Sequence, residues 1–203
     1  AGSGKTRVLT YRIAHLMASG VDSFSILALT FTNKAAREMK ARIGDLVGEG
    51  EAKNLWMGTF HSVFARILRQ EADKLGFPSN FTIYDTQDSD RLISAIIKEL
   101  GLEKDIYKYK QVRSRISAFK NSLITVKAYF NDGDLQEVDA MSRRPKMGMI
   151  YKEYVDRCFK AGAMDFDDLL LRTNELLNRY PEVLAKYQDR FRYIMVDEYQ
   201  DTN

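Results

Sequence analysis

The sequence predicts an α/β fold: a parallel sheet with helices on both faces, interrupted by an inserted all-helical subdomain. Three observations carry this. Short apolar runs of strand length recur: Ile26-Leu27-Ala28-Leu29-Thr30-Phe31, Leu55-Trp56-Met57-Gly58-Thr59-Phe60 and Tyr193-Ile194-Met195-Val196, with Phe81-Thr82-Ile83-Tyr84 as a weaker fourth. Helical stripes lie between the early runs: Leu9, Ile13, Leu16 and Met17; Met39, Ile43, Leu46 and Val47; Phe64, Ile67, Leu68, Ala72 and Leu75. Strands alternating with helices of this length give parallel sheets with crossover connections. Between residues 86 and 190 no strand signal stands out, and the stripes are helical throughout.

The element order follows. Asp85 or Thr86 caps a helix with the face Leu92, Ile93, Ile96, Ile97 and Leu100, stopped by Gly101. Val112, Ile116, Phe119 and Leu123 mark another. Ile150, Tyr151, Tyr154, Val155 and Cys158 mark a third, ending near Gly162. Asn131-Asp132-Gly133 and Arg143-Arg144-Pro145 read as surface connections. The organisation expected is therefore a first α/β part over residues 1–84, a helical insertion over 85–164, and a return over 165–203.

Composition narrows the class. The 203 residues are 45% hydrophobic and 29% charged, a globular balance. No run approaches the roughly 20 apolar residues of a membrane span, and no signal-peptide pattern opens the sequence. One cysteine, Cys158, excludes an internal disulfide framework and a cysteine-based metal site. A cytoplasmic location is expected. Net charge is only +3, but residues 104–127 hold seven Lys/Arg (104, 108, 110, 113, 115, 120 and 127) against Asp105 alone. Such a cluster attracts a polyanion or forms the solvated face of a helix. With Tyr107, Tyr109 and Phe119 it is a candidate for duplex or single-strand contact.

Two segments carry chemistry. Ala1-Gly2-Ser3-Gly4-Lys5-Thr6 reads as the end of a phosphate-binding loop running into a helix. Its glycines let backbone N–H groups face an anion, the helix N-terminus adds a favourable dipole, and Lys5 supplies a point charge. The Thr6 hydroxyl is then placed to ligate Mg²⁺. Arg7 lies near the base or phosphates, or is a surface charge. At the other end, Tyr193-Ile194-Met195-Val196-Asp197-Glu198 sets two carboxylates at the C-terminal edge of a buried strand, where α/β folds bind ligands. Asp197 holds the metal in this reading, and Glu198 polarises the attacking water. Together the segments point to hydrolysis of a nucleoside triphosphate. Asp165, Asp167 and Asp168 suggest a two-metal site, but helix capping is the stronger reading. Trp56 reads as core, and His15 has no assigned role.

Asp197-Glu198-Tyr199-Gln200-Asp201-Thr202-Asn203 resembles the second helicase motif of superfamily 1 DNA helicases of the UvrD/PcrA/Rep type. Leu29-Thr30-Phe31-Thr32-Asn33-Lys34-Ala35-Ala36 resembles that family's motif Ia, and Gly58-Thr59-Phe60-His61-Ser62 its motif Ib. Met164-Asp165-Phe166-Asp167-Asp168-Leu169-Leu170 resembles a further block ahead of motif II. The blocks run in the family's order from end to end. The resemblance implies a RecA-like first motor domain with a helical insertion, and an ATP-dependent helicase moving 3′→5′. It implies ATP on Gly2, Ser3, Gly4, Lys5, Thr6 and Arg7, Mg²⁺ on Thr6 and Asp197, and catalysis by Glu198 with Lys5 and Asp197. Single-stranded DNA and ss/ds junctions would meet Thr30, Phe31, Thr32, Asn33, Lys34, Thr59, His61 and Ser62. Phe31 stacks on a base or packs in the core. A second motor domain and an adenine-reading segment are expected outside these residues. Without that partner domain the fragment is expected to be catalytically incompetent. A P-loop enzyme of another class would explain Lys5 and Asp197 but not the two track blocks, and a binding module would not require the intact Lys5, Thr6, Asp197 and Glu198.

Overall fold

A computed structural model describes residues 4–202, so Gly2 and Ser3 of the expected phosphate loop lie outside the described residues. The chain forms two compact units, one made of Ala1–Ile67 with Leu176–Asn203, the other of Leu68–Glu175.

The first unit holds α1 (Lys5–Ala18), β1 (Ile26–Thr30), α2 (Asn33–Val47), α3 (Glu49–Ala52), β2 (Trp56–Thr59) and the start of α4 (Phe60–Glu71). After the second unit, which holds β3 (Thr82–Tyr84) and is described below, the first unit resumes with α11 (Pro181–Arg190) and β5 (Tyr193–Val196). The three strands make one parallel sheet in the order β2-β1-β5. All five residues of β1 are buried, which is why its sequence runs apolar without alternation. Ile26 and Ala28 face Ile13 of α1 and Met39 and Ile43 of α2. Leu27 lies level with Trp56, whose ring meets Tyr187 and Phe191 on the α11 side. Helices therefore cover both faces. Trp56 is 1% exposed, as expected of core, with the Arg66 guanidinium 3.9 Å and that of Arg190 4.6 Å from its ring.

One expectation for this unit needs correction. The Tyr193–Val196 run was expected as a buried strand, yet β5 borders the sheet among the described residues, with Tyr193 37% and Ile194 59% exposed. Apolar composition reports what a strand can bury, not how many neighbours it has.

The second unit contains β3, α5 (Thr86–Glu99), α6 (Tyr109–Asn121), α7 (Val126–Asn131), α8 (Gly133–Met141), α9 (Met147–Lys160), β4 (Ala163–Asp165) and most of α10 (Phe166–Arg179). Ile93, Ile96, Ile97, Val112, Ile116, Phe119, Tyr151 and Tyr154 share its core. Asp85 and Asp88 form a reciprocal capping box at the start of α5. β4 overturns the reading that no strand lies between residues 86 and 190. It pairs in parallel with β3 in a separate two-stranded sheet, so β3 does not extend the three-stranded one. Three residues ending in Asp165 are too short for either periodicity to register. Leu123 is also corrected: α6 ends at Asn121, and Leu123 sits at φ 58° and half exposed. The stripe from Phe64 to Leu75 is α-helical only to Glu71 and closes in a 3₁₀ turn, Ala72–Leu75. The expected loop at Asn131-Asp132-Gly133 is a single residue, Asp132, which caps α8 by accepting from the Leu135 N–H.

The basic stretch 104–127 divides in two. Arg113 binds Asp90, Arg115 binds Asp139, and Lys120 is buried against two carboxylates, 2.8 Å from Asp165 and 3.0 Å from Asp168. Tyr107 and Phe119 are core residues, 6% and 1% exposed, which removes them from the candidates for nucleic-acid contact. Asp165 and Asp168 cap α10 reciprocally, each accepting from the other's backbone N–H, and the Tyr154 hydroxyl donates to Asp165. The capping reading of these acids therefore stands. Burial pushes the Asp165 carboxyl upward, but the Lys120 ammonium and the hydrogen bonds to Asp165 outweigh it and hold the group below its usual range. Burial pushes the Cys158 thiol up to about 12, which leaves it inert.

Replacing Lys120 by Met leaves two buried carboxylates without a counter-charge, and is expected to destabilise the chain by about 3–5 kcal/mol in urea unfolding at pH 7. A depressed folded-state pKa stabilises above the unfolded value, 3.8 for Asp165, and that contribution is lost as pH falls through the folded value. The difference between wild type and Lys120→Met is therefore expected to shrink below about pH 4. A constant difference from pH 7 to pH 3 contradicts this account.

Candidate active site

Parallel pairing brings three strand ends to one edge of the first unit. Thr30 at the end of β1 lies level with Thr59 at the end of β2, and Leu29 lies level with Val196 of β5. The Asp197 N–H donates to the Leu29 carbonyl at 2.9 Å, fixing the first carboxylate beside the end of β1. Such edges gather ligand-binding groups because each strand hands over there to a loop or a helix N-terminus.

α1 begins at this edge. Gly4, its N-cap, has φ 75° and ψ 4°, a left-handed conformation that residues with a Cβ adopt only at a cost. No side chain caps the helix, and no acid stands in its first turn, so the amides and the positive end of the dipole face outward beside Lys5. The Thr6 hydroxyl donates to Asp197 at 3.1 Å across 191 residues of sequence, and Lys5 lies 3.8 Å from Glu198. The structure thus brings Lys5, Thr6, Asp197 and Glu198 together. Asp197 is 6% exposed, whereas Lys5 and Glu198 are open to solvent.

Thr6 and Asp197 suit a magnesium ion. Both offer hard oxygen donors, and their 3.1 Å separation is close to the roughly 3.0 Å edge between neighbouring ligands in an octahedron of about 2.1 Å bonds. No group of three or more His, Cys, Asp or Glu side chains poised for a metal exists among the described residues. A two-donor protein site is what a phosphate-bound magnesium ion uses, with phosphate and water completing its shell.

Glu198 has φ 54° and ψ 45°, a left-handed backbone for a residue with a Cβ. Its carboxylate also accepts from the Gln200 side chain, a contact the sequence reading passed over although Gln200 stands in the same block. Arg7 is exposed, 5.6 Å from the Tyr11 ring, and with Tyr11, Arg42 and Leu46 it lines a cavity of about 420 Å³ between α1 and α2.

Further along the edge, the ends of β1 and β2 repeat one device. Thr32 caps α2 by accepting from the Ala35 N–H, and the Thr59 hydroxyl accepts from the Ser62 N–H at the start of α4. Thr30 is fully buried, and its hydroxyl donates to the Thr32 carbonyl. Thr59 is 9% exposed. These two shape the backbone, while Phe31, Thr32, Asn33, Lys34, His61 and Ser62 are the exposed members. A Cβ at Gly58 would displace the Ser62 hydroxyl, which now donates to the Thr59 carbonyl. Phe31 is 45% exposed, with its ring 5.3 Å from that of Phe60. Phe60, between two residues singled out in the sequence, was not itself recognised. Exposed helix N-termini, hydroxyls and an aromatic face are the groups that hold a nucleic-acid backbone and stack on bases.

The family model for the UvrD/REP helicase N-terminal domain matches residues 1–203. An ATP-dependent DNA helicase PcrA of Staphylococcus epidermidis (strain RP62A) is 46% identical over 204 residues, covering 100% of this chain and 27% of the relative. The PcrA helicase of Staphylococcus aureus (strain Mu50) is 44% identical with the same coverage. The chain thus spans 27% of the length of these curated relatives.

The left-handed backbone at Glu198 makes a stability prediction. Glu198→Gly relieves it and is expected to raise unfolding free energy by up to about 1 kcal/mol, whereas Glu198→Ala keeps the strain and gains nothing. The exposed Lys5 pair, lost in both, contributes little. Equal urea midpoints for the Gly and Ala variants contradict this reading.

Proposed function

This chain belongs to the UvrD/REP helicase family, and from that membership and the assembled edge we propose that it is the nucleotide-binding half of an ATP-driven motor moving 3′→5′ on single-stranded DNA. The observation that carries the reading is the meeting of Lys5, Thr6, Asp197 and Glu198 from opposite ends of the sequence. In this reading residues 1–84 and 165–203 form a RecA-like motor domain and residues 85–164 its helical insertion. Its partners are single-stranded DNA, ss/ds junctions and the second motor domain of the same protein. No helix among the described residues is long and apolar enough to cross a membrane, and we place the motor with its DNA in the cytoplasm.

Gly4 leads into the phosphate site, with Gly2 and Ser3 assigned to it from the sequence motif; Lys5 binds the β/γ-phosphates, and Arg7 serves the base. Thr6 and Asp197 would hold Mg²⁺, which when bound would neutralise phosphate charge. Glu198 orients the attacking water and accepts its proton. Lys5 and Glu198 are neighbours, so the cation on the transferred phosphoryl group and the base on the water act from one place. Phe31 stacks on a base, while Thr32, Asn33, Lys34, His61 and Ser62 hold the backbone, with Thr30 and Thr59 setting their loops. Contacts of this kind disregard sequence, as translocation requires.

The test uses the parent protein. Single-stranded DNA is expected to stimulate ATP hydrolysis, and Lys5→Ala and Glu198→Gln are each expected to lower kcat by at least about 10²-fold. ATP turnover indifferent to DNA removes the track and favours a P-loop enzyme of another class. Phe31→Ala is expected to weaken single-strand binding by about 1–3 kcal/mol for any sequence, measured by fluorescence anisotropy at fixed salt. The 203-residue chain alone, lacking a partner domain's arginine, is expected to hydrolyse ATP about 10³-fold or more below the stimulated parent rate. Robust DNA-stimulated turnover from the chain alone contradicts that expectation.

A further inference from the structure

The second unit carries cations that its own ion pairs leave unused. Arg113, Arg115 and Lys120 are committed to carboxylates. Lys104, Lys108 and Lys110 have no side-chain hydrogen bond or ion pair among the described residues, and neither does Lys98 in the last turn of α5. These four exposed lysines line one cavity of about 770 Å³, and no carboxylate lines it. Ala95, half-buried, and the Tyr109 ring, 41% exposed, supply apolar surface. α6, 13 residues long, starts here with no side-chain cap and no acid in its first turn, so its positive end adds to the lysines.

We propose that this cavity binds a nucleoside polyphosphate, as a second nucleotide site separate from the Lys5 loop. The base lies on the apolar surface beside Tyr109, and the phosphates meet the lysines and the first amides of α6. Charge density distinguishes this ligand from a nucleic-acid strand. A strand brings about one negative charge per phosphate, spaced along its length. A triphosphate concentrates about four charges at one point, matching the four lysines around one opening. The volume is that of a small-ligand site, and a backbone held by the lysines alone leaves the apolar lining unfilled.

The experiment uses the full chain carrying Lys5→Ala, which disables the first site, with binding followed by isothermal titration calorimetry. The probes are ATP, inorganic pyrophosphate, and single-stranded and duplex oligonucleotides. ATP is expected to retain one binding site per chain. Lys104→Ala with Lys108→Ala is expected to weaken both ATP and pyrophosphate at least about tenfold. Tyr109→Ala is expected to weaken ATP several-fold and leave pyrophosphate unchanged. All three residues are exposed, and unchanged circular dichroism melts verify that the variants fold. Loss of all ATP binding in Lys5→Ala overturns the proposal, as does residual binding indifferent to the lysines. Oligonucleotide that needs these lysines and is not displaced by ATP also overturns it, assigning the patch to a strand. None of these results overturns the Lys5 site, whose own test is DNA-stimulated hydrolysis.

Discussion

The candidate site depends on β1 lying between two parallel neighbours. Because β2 and β5 both run in its direction, the chain leaves all three strands at one edge. An antiparallel neighbour would send its C-terminal residues to the far side of the sheet. β1 has no exposed face, so every residue from Ile26 to Leu29 is apolar, and Thr30 is buried only because its hydroxyl finds the Thr32 carbonyl. The strand contributes little chemistry itself. It sets the level at which Asp197, Thr32 and Thr59 emerge.

That placement makes the proposed nucleotide and DNA ends of the edge near neighbours. The Thr6 hydroxyl reaches Asp197, the Asp197 amide reaches the Leu29 carbonyl, and the adjacent Thr30 hydroxyl reaches the Thr32 carbonyl. Thr32 in turn caps α2. A short run of hydrogen bonds and one peptide unit thus joins the start of α1 to the exposed surface at Phe31 and Asn33. A motor of the kind proposed needs a physical connection between its nucleotide and its DNA. The second unit uses buried polar groups otherwise. There, Lys120, Asp165, Asp168 and Tyr154 fix a helix start within a closed core.

Much of this was legible in the sequence, for identifiable reasons. The runs at Ile26 and Trp56 are apolar enough to name strands, and Gly4-Lys5-Thr6 and Asp197-Glu198 are chemically unusual enough to name a site. Asp165 and Asp168 were read correctly as caps. What escaped depended on partners far away in sequence. β4 is a strand because β3 lies beside it, and nothing in Ala163-Met164-Asp165 announces that. The exposure of Ile194 depends on how many strands flank β5, which composition does not encode. The basic stretch looked uniform, yet Asp90, Asp139 and Asp165 divide it into internal and outward-facing charge. Phe60 and Gln200 were missed although both stand inside recognised blocks, because their roles come from contacts with Phe31 and Glu198.

The division of the chain also orders its birth on the ribosome. Leu68–Glu175 is continuous in sequence and has its own core, so it can close as soon as it has emerged. The first unit is completed only at the end, because β5 and the residue that Thr6 bonds, 191 positions later, are made last. At about 5–20 residues per second the nascent Lys5 loop waits roughly 10–40 s for Asp197. Throughout that interval β1, apolar on both faces, lacks one of its two neighbouring strands, exposing an unpaired edge of the kind that chaperones cover and aggregates recruit.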